Sequence, residues 1–271
     1  MSEMLEKQKE LEQLYNKNQL IPRIRDEFVK CKDPDFVQYM TDNNIPALFG
    51  LDLLIQMHLH KRADLPTLVG LLYHHFEDAQ LTCDMLKLCA EHDLMDWDIV
   101  SEKFIVIYEV STDVQEELDR FQYPLPMVVP PLHIKNNRQS GYLLTNKSVI
   151  LKNNHHTDDV CLDHLNRMNA IKLCINDDVV RMVQNRWRNH DKPKPDETLK
   201  SFNERRRQFE KYDKTARDVI KILQEASDHF YLTHSYDKRG RTYCGGHHVT
   251  YQGAAWNKAV IEFHEQEVIP L

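Results

Sequence analysis

Four prolines between Tyr123 and Pro131 constrain this chain more than any other feature. A proline inside a helix removes a backbone donor and clashes with the preceding turn, so no helix can cross that stretch and the chain divides there. On its N-terminal side the pattern is helical. Met4 to Tyr15 is amphipathic and acidic, Pro46 to His60 and Pro66 to Phe76 are apolar-rich runs opened by proline, and Asp84 to His92 and Asp98 to Tyr108 continue the same periodicity. Asp33-Pro34 and Asn43-Asn44-Ile45-Pro46 are turn signals between the runs. Residues 1–122 are therefore expected to form a helical domain, followed by a connecting segment over 123–156 with a short strand or hairpin at Gly141 to Leu151.

Beyond that segment, Thr157 to Asn189 reads as helix, with Thr157-Asp158-Asp159 as its N-terminal cap. The polar loop His190 to Asp196 contains two prolines, and a second long helix runs from about Glu197 to His229. Residues 157–229 are thus a helical hairpin. Four of the seven glycines fall within the last 32 residues, among aromatic and β-branched neighbours, which points to tight turns and close backbone approach. Over 230–271 short strands are expected at Phe230 to Tyr236, Arg241 to Cys244 and His247 to Tyr251. The predicted class is mainly α with a small α+β part.

Charge is segregated along the chain. Its net charge is -7, yet residues 1–125 hold 12 Lys and Arg against 24 Asp and Glu, whereas the remaining 146 hold 23 against 18. The C-terminal half can hold a polyanion that the first half repels. A mean hydropathy of -0.60, with no run approaching about 20 apolar residues, predicts no membrane partner. The start, Met1 to Lys17, is charged and unlike a signal peptide, so a cytoplasmic protein is expected. Six cysteines without paired spacing read as reduced thiols.

The residues with most to say about function are Asp237-Lys238-Arg239-Gly240-Arg241-Thr242-Tyr243, followed by Gln252, Gly253 and Lys258. Two guanidinium groups beside a glycine let a main chain lie close to a nucleic-acid strand while Arg forks hold its phosphates. The alternative is that Asp237 and Arg241 simply pair across a turn. On the second long helix, Arg207, Lys211, Lys214 and Lys221 share one face, with Arg217 at its edge. This basic stripe, about 21 Å long, could follow several phosphates without reading sequence, or it could be an ordinary solvated face. Cys244, His247 and His248 suggest zinc, but a structural site needs four ligands and no second pair stands at matching spacing, so no metal is assigned to the chain. No nucleophile, phosphate-loop or dinucleotide motif occurs.

The segment from Tyr231 to Phe263 resembles the Thr/Asp-x-x-Gly-Arg region of single-subunit DNA-dependent RNA polymerases of the phage and mitochondrial type. Met127-Val128-Val129-Pro130-Pro131 with Ser140-Gly141-Tyr142 is similar to the family's Val-Val-Pro-Pro and Gly-Gly-Tyr segment, and Leu173-Cys174-Ile175-Asn176 to its Trp-x-Ile-Asn, in the same order. The resemblance covers roughly Phe121 to Phe263. Lys238 stands where the family often has another residue. It implies a thumb at 157–229 and an edge of the palm at 230–271, with Asp237, Arg239, Gly240, Arg241, Gln252, Gly253 and Lys258 on template or hybrid.

In the family the metal-binding aspartates follow this motif, and none can be placed after Phe263. The resemblance therefore implies the small subunit of a heterodimeric, bacteriophage-type RNA polymerase, working in the host bacterial cytoplasm if phage-encoded. Its larger partner would carry the palm and fingers motifs and bind Mg2+, with nucleoside triphosphates as substrates. An accessory factor for promoter opening is a further implied partner. A different class of reading, a helical DNA-binding regulator or adaptor with no share in an active site, rests on the acidic helices and the basic stripe.

Overall fold

The computed structural model describes residues 2–15, 17–31, 34–152, 154–182 and 192–265. It is about 51% helical with a few small antiparallel sheets, so the mainly α class with a minor β part holds. The chain forms two compact units, one of Lys17–Leu118 and one of Met1–Asn16 with Asp119–Leu271. Among the described residues no helix is long and apolar enough to cross a membrane.

In the first unit, α1 being the helix Ser2–Tyr15 of the other unit, the helices are α2 (Lys17–Lys30), α3 (Phe36–Asp42), α4 (Ala47–His60), α5 (Leu65–Leu72), a 3-10 turn (Tyr73–His75) and α6 (Ala79–Glu91). Aspartate side chains set several of the starts. Asp35, Asp64 and Asp78 accept from the backbone of Gln38, Thr67 and Leu81, satisfying donors the first turn leaves orphaned. The core gathers on α4, whose Phe49, Leu53, Leu54, Ile55 and Met57 are fully buried. The helix expected at Asp98 to Tyr108 is absent. Strands β1 (Arg62–Ala63), β2 (Asp96–Asp98) and β3 (Lys103–Ile105) form an antiparallel sheet in the order β1-β3-β2. Trp97 packs edge-on against Phe104, and the Asp98 carboxylate takes Val100 N and Ser101 Oγ, which favours a turn over a helix. Helix α7 (Thr112–Phe121) crosses the boundary between the units.

The second unit contains α8 (Leu162–Asn169), β4 (Leu173–Ile175), α9 (Asp177–Met182), α10 (Leu199–Ala226), β5 (His234–Tyr236), β6 (Thr242–Cys244), α11 (Ala255–Ala259) and β7 (Ile261–Phe263). Helix α1 belongs here rather than to the helical domain expected over 1–122. Its buried Gln8 accepts from Val128 N at 2.8 Å, and its buried Glu12 accepts from Leu143 N at 2.8 Å and Leu144 N at 2.7 Å. Those donors are consequently lost to any ladder, and 141–151 forms no strand beyond a single bridge from Ile150 to Tyr236.

The expected helical hairpin is corrected in its first arm. Asn137 Nδ2 donates to the carbonyls of His156 and Asp158, holding that stretch as loop, so α8 starts only at Leu162. Residues 170–176 leave the helix because Leu173–Ile175 pairs with β7, and Asn176 then caps α9 through Val179 N. The remainder of that arm, 183–189, lies outside the described residues. The second arm is α10, 28 residues long, capped by Thr198 and burying Ala216, Val219, Ile220 and Leu223. Of the three strands expected near the end, Phe230 and Tyr231 make single bridges, β5 and β6 form a hairpin, and His247 to Tyr251 is a looped segment. Gly246 at φ +99 turns the chain there, where a Cβ would stand 2.5 Å from Val249 O.

Candidate functional site

The β5–β6 hairpin pairs His234 with Cys244 and Tyr236 with Thr242, leaving residues 237–241 as its loop. Asp237 organises that loop. Its Oδ1 accepts from Arg239 N (2.9 Å) and Arg241 N (3.0 Å), and its Oδ2 takes Arg241 Nε (2.7 Å) and faces Arg239 Nε at 3.5 Å. Gly240, at φ +78, closes the turn by donating to Asp237 O. Partial burial pushes the Asp237 carboxyl up, but the Arg241 hydrogen bonds outweigh it and hold the group below its ordinary value. Asp237 and Arg241 therefore do pair across the turn. The pairing leaves 63% of the Arg239 side chain and 53% of the Arg241 side chain exposed. One carboxylate against Lys238, Arg239 and Arg241 gives the loop a surplus of positive charge.

Next to this loop lies a cleft of about 810 Å³. Arg205, Gln208, Phe209 and Tyr212 of α10 form one wall, and Tyr243, His247, Gln252 and Gly253 belong to the other. Arg241 connects loop and cleft, since its guanidinium lies 5.5 Å from the centre of the Tyr243 ring. His247 is backed by Tyr123, the rings stacked at 3.9 Å. Aromatic faces and amides lining an open cleft, with the exposed Arg239 and Arg241 guanidinium groups on the loop beside it, suit a ligand that combines flat rings with negative charge.

Residue by residue, the structure rearranges the expected site. Gln252 lines the cleft, yet both ends of its amide are engaged by β6: Oε1 accepts from Cys244 N at 2.8 Å and Nε2 donates to Thr242 O at 3.0 Å. It builds the wall. At Gly253 a Cβ would stand 2.8 Å from Asn257 Cβ, so glycine lets the loop close on α11. Lys258 is exposed on α11 and is not among the cleft-lining residues.

The basic stripe is displaced from the cleft. At 100° per residue, Arg205, Gln208, Phe209 and Tyr212 lie about half a turn from Arg207, Lys211, Lys214 and Lys221. Lys211 pairs with Asp119 at 2.8 Å and Lys221 approaches Glu225 at 3.7 Å. Arg217 bonds Asp213 and Val180 O and lies over Trp256. Among the described residues the cation that lines the cleft is Arg205, which the sequence reading passed over. Glu197 grips it through two parallel bonds of 2.9 and 2.8 Å, and the same bonds hold the Glu197 carboxyl down at about 2. The signal was present in the spacing of Arg205, Phe209 and Tyr212.

No protein-family model matches the chain, and no curated protein matches it in sequence. The segments around Met127, Tyr142 and Leu173, far apart in the chain, are tied together by backbone and side-chain bonds. Met127 and Tyr231 exchange backbone bonds of 2.8 and 2.7 Å, Tyr142 donates to Leu125 O, and Leu173 bridges Phe230. The Met127 and Leu173 contacts both fall on Phe230 and Tyr231, the stretch that leads into the Asp237 loop.

Two buried histidines support this region. His234 Nδ1 donates to Asn169 Oδ1 (2.8 Å) while its Nε2 accepts from the Tyr251 hydroxyl (2.6 Å), and burial lowers its pKa to about 4. His248 packs among Tyr123, Tyr212 and His247 with neither ring nitrogen partnered among the described residues, and burial lowers it to about 4 as well. Cys244 Sγ meets Thr250 Oγ1, and among the described residues Cys244, His247 and His248 form no group placed to hold a metal ion. Since the fold prefers both rings neutral, stability is full above an unfolded value of about 6.5 and declines as pH falls towards 4, by on the order of 3 kcal/mol per ring. Thermal melts from pH 7.5 to 4.5 should show this decline. His248→Phe should remove about half of it, leaving the part due to His234, and leave stability at pH 7.5 equal or higher by about 1 kcal/mol, because an unpaired buried polar group is removed. An unchanged acid profile in that variant contradicts the assignment.

Proposed function

We propose that this chain is the small subunit of a heterodimeric DNA-directed RNA polymerase. It holds the DNA template and RNA:DNA hybrid while a larger partner carries the catalytic aspartates, Mg2+ and the incoming nucleoside triphosphate. The observation that carries this reading is the juxtaposition of the Asp237 loop, with its exposed Arg239 and Arg241, and the aromatic cleft reached through Tyr243. The ordered motifs, two of which contact the stretch that leads into that loop, support it.

The contribution to chemistry is positional. Guanidinium groups grip phosphates, and a fixed hybrid presents its 3′-hydroxyl in line with the α-phosphate, turning an encounter into an oriented reaction. Charged side chains that grip only phosphate do so at every sequence, as an elongating enzyme requires. Promoter opening is assigned to an accessory factor.

Primer extension on an RNA:DNA scaffold tests the division of labour. The isolated chain should add no nucleotide, and the chain purified together with its larger subunit should extend the primer in a Mg2+-dependent way. Extension by the isolated chain contradicts the proposal. A pure recruitment factor, the competing reading, would leave the larger subunit fully active alone on the preformed scaffold.

A further inference from the structure

Away from the cleft, three metal-ligating side chains converge on one face of the sheet around β4. Leu173 pairs with Phe263 of β7 on one edge and bridges Phe230 on the other. Side chains alternate along a strand, so His229 and His264, each one residue beyond those partners, fall on the face opposite Leu173. The backbone fixes both positions: His264 N donates to Lys172 O at 3.1 Å, and His229 N to Ser227 Oγ at 3.3 Å.

Asp228 completes the set. Its Oδ1 stands 2.6 Å from His229 Nδ1 and its Oδ2 3.5 Å from His264 Nε2, with one atom from each of the three residues within 4.8 Å of the others. Ligands about 2.1 Å from a tetrahedral ion stand about 3.4 Å apart, so these atoms need only small rotations to share one. Among the described residues His264 Nδ1 is buried without a hydrogen-bond partner, and the ring packs on His229 with centroids 5.1 Å apart, its Nε2 turned to Asp228. The neighbouring cation, Lys172, is engaged by Glu265 at 3.1 Å.

A second set, Asp52, His74 and His75, serves as a contrast. There the Arg25 guanidinium bonds one oxygen of Asp52, so a cation already neutralises the carboxylate. No guanidinium bonds Asp228 among the described residues. Two imidazoles with one carboxylate suit borderline ions, whereas Mg2+ and Ca2+ favour oxygen ligands throughout.

We propose that Asp228, His229 and His264 bind one divalent transition-metal ion of the zinc class, with water completing its coordination. The ion acts as a staple. It ties the turn after α10 to the end of β7 across β4, fixing the strand that follows α11. This assignment does not depend on the polymerase reading.

Metal titration of the whole chain, stripped with chelator, tests it. Co2+ should bind with a stoichiometry of one at this site and give visible d–d absorption, and Zn2+ should displace it and raise the thermal midpoint. His264→Gln and Asp228→Asn should each weaken Co2+ binding at least 100-fold, beyond the 10–100-fold typical of changes behind the ligands. His74→Gln should leave that binding unchanged. Helical circular dichroism confirms that each variant is folded, and His229→Gln replaces any that is not. Absence of Co2+ binding to the wild-type chain at micromolar concentrations, binding retained in the site variants, or its loss in His74→Gln would overturn the assignment.

Discussion

Replacing Arg239 and Arg241 together with alanine lowers affinity for a short RNA:DNA hybrid about 100-fold at low salt, roughly tenfold per side chain. It also reduces the slope of log K against log salt concentration by about two, because each lost phosphate contact no longer releases a counterion. The fold survives the change. Asp237 keeps the backbone donors of residues 239 and 241, so the loop retains its shape while its charge disappears. The effect should be uniform across hybrid sequences, since phosphate contacts carry no base information. Fluorescence anisotropy over a salt series measures both quantities. Equal affinity and equal slope in variant and wild type would leave these guanidinium groups as mere partners of Asp237.

Glu12→Ala has the largest expected effect on stability, a loss of about 4 kcal/mol. The Glu12 carboxylate is fully buried and accepts from two backbone amides of the connecting segment, as well as from Gln8 Nε2. Hydrogen bonds to a charged group contribute about 1.5–3 kcal/mol, and unpaired buried donors add their own desolvation cost. A loss of that size lowers the melting midpoint by roughly 10 °C in a unit of this size. Glu12→Gln, which keeps one acceptor oxygen, should lose less than half as much. Chemical denaturation gives the comparison, and an alanine variant within 1 kcal/mol of wild type would mean that α1 does not anchor 143–144.

The helices of the first unit were legible because their signals are local. Proline starts, apolar periodicity and aspartate caps act within a turn or two, as at Pro46 and Asp64. The errors arose where a distant partner overrode local preference. Residues 170–176 read as helix but are claimed by β7, some 90 residues later in the chain, and 141–151 reads as strand but loses its donors to Glu12. The Asp237 loop was legible for the same reason as the caps, since its hydrogen bonds span at most four residues. The cleft was not. It forms between α10 and a segment over 30 residues downstream, and the eye follows the conspicuous lysines rather than Arg205, Phe209 and Tyr212. The clustering of Asp228 and His229 with His264 was likewise hidden, because it depends on the register around β4.

The central claim is that nucleic acid lies in the cleft between α10 and β6. Site-specific photo-cross-linking to a labelled RNA:DNA hybrid addresses it most directly, with the photoreactive residue placed at Tyr243 in one variant and at Lys221 in another. Tyr243 faces the cleft, and Lys221 stands on the opposite side of α10. Strong cross-links from position 243 and few from 221 are predicted; cross-links from 221 alone, or from neither, would contradict the account.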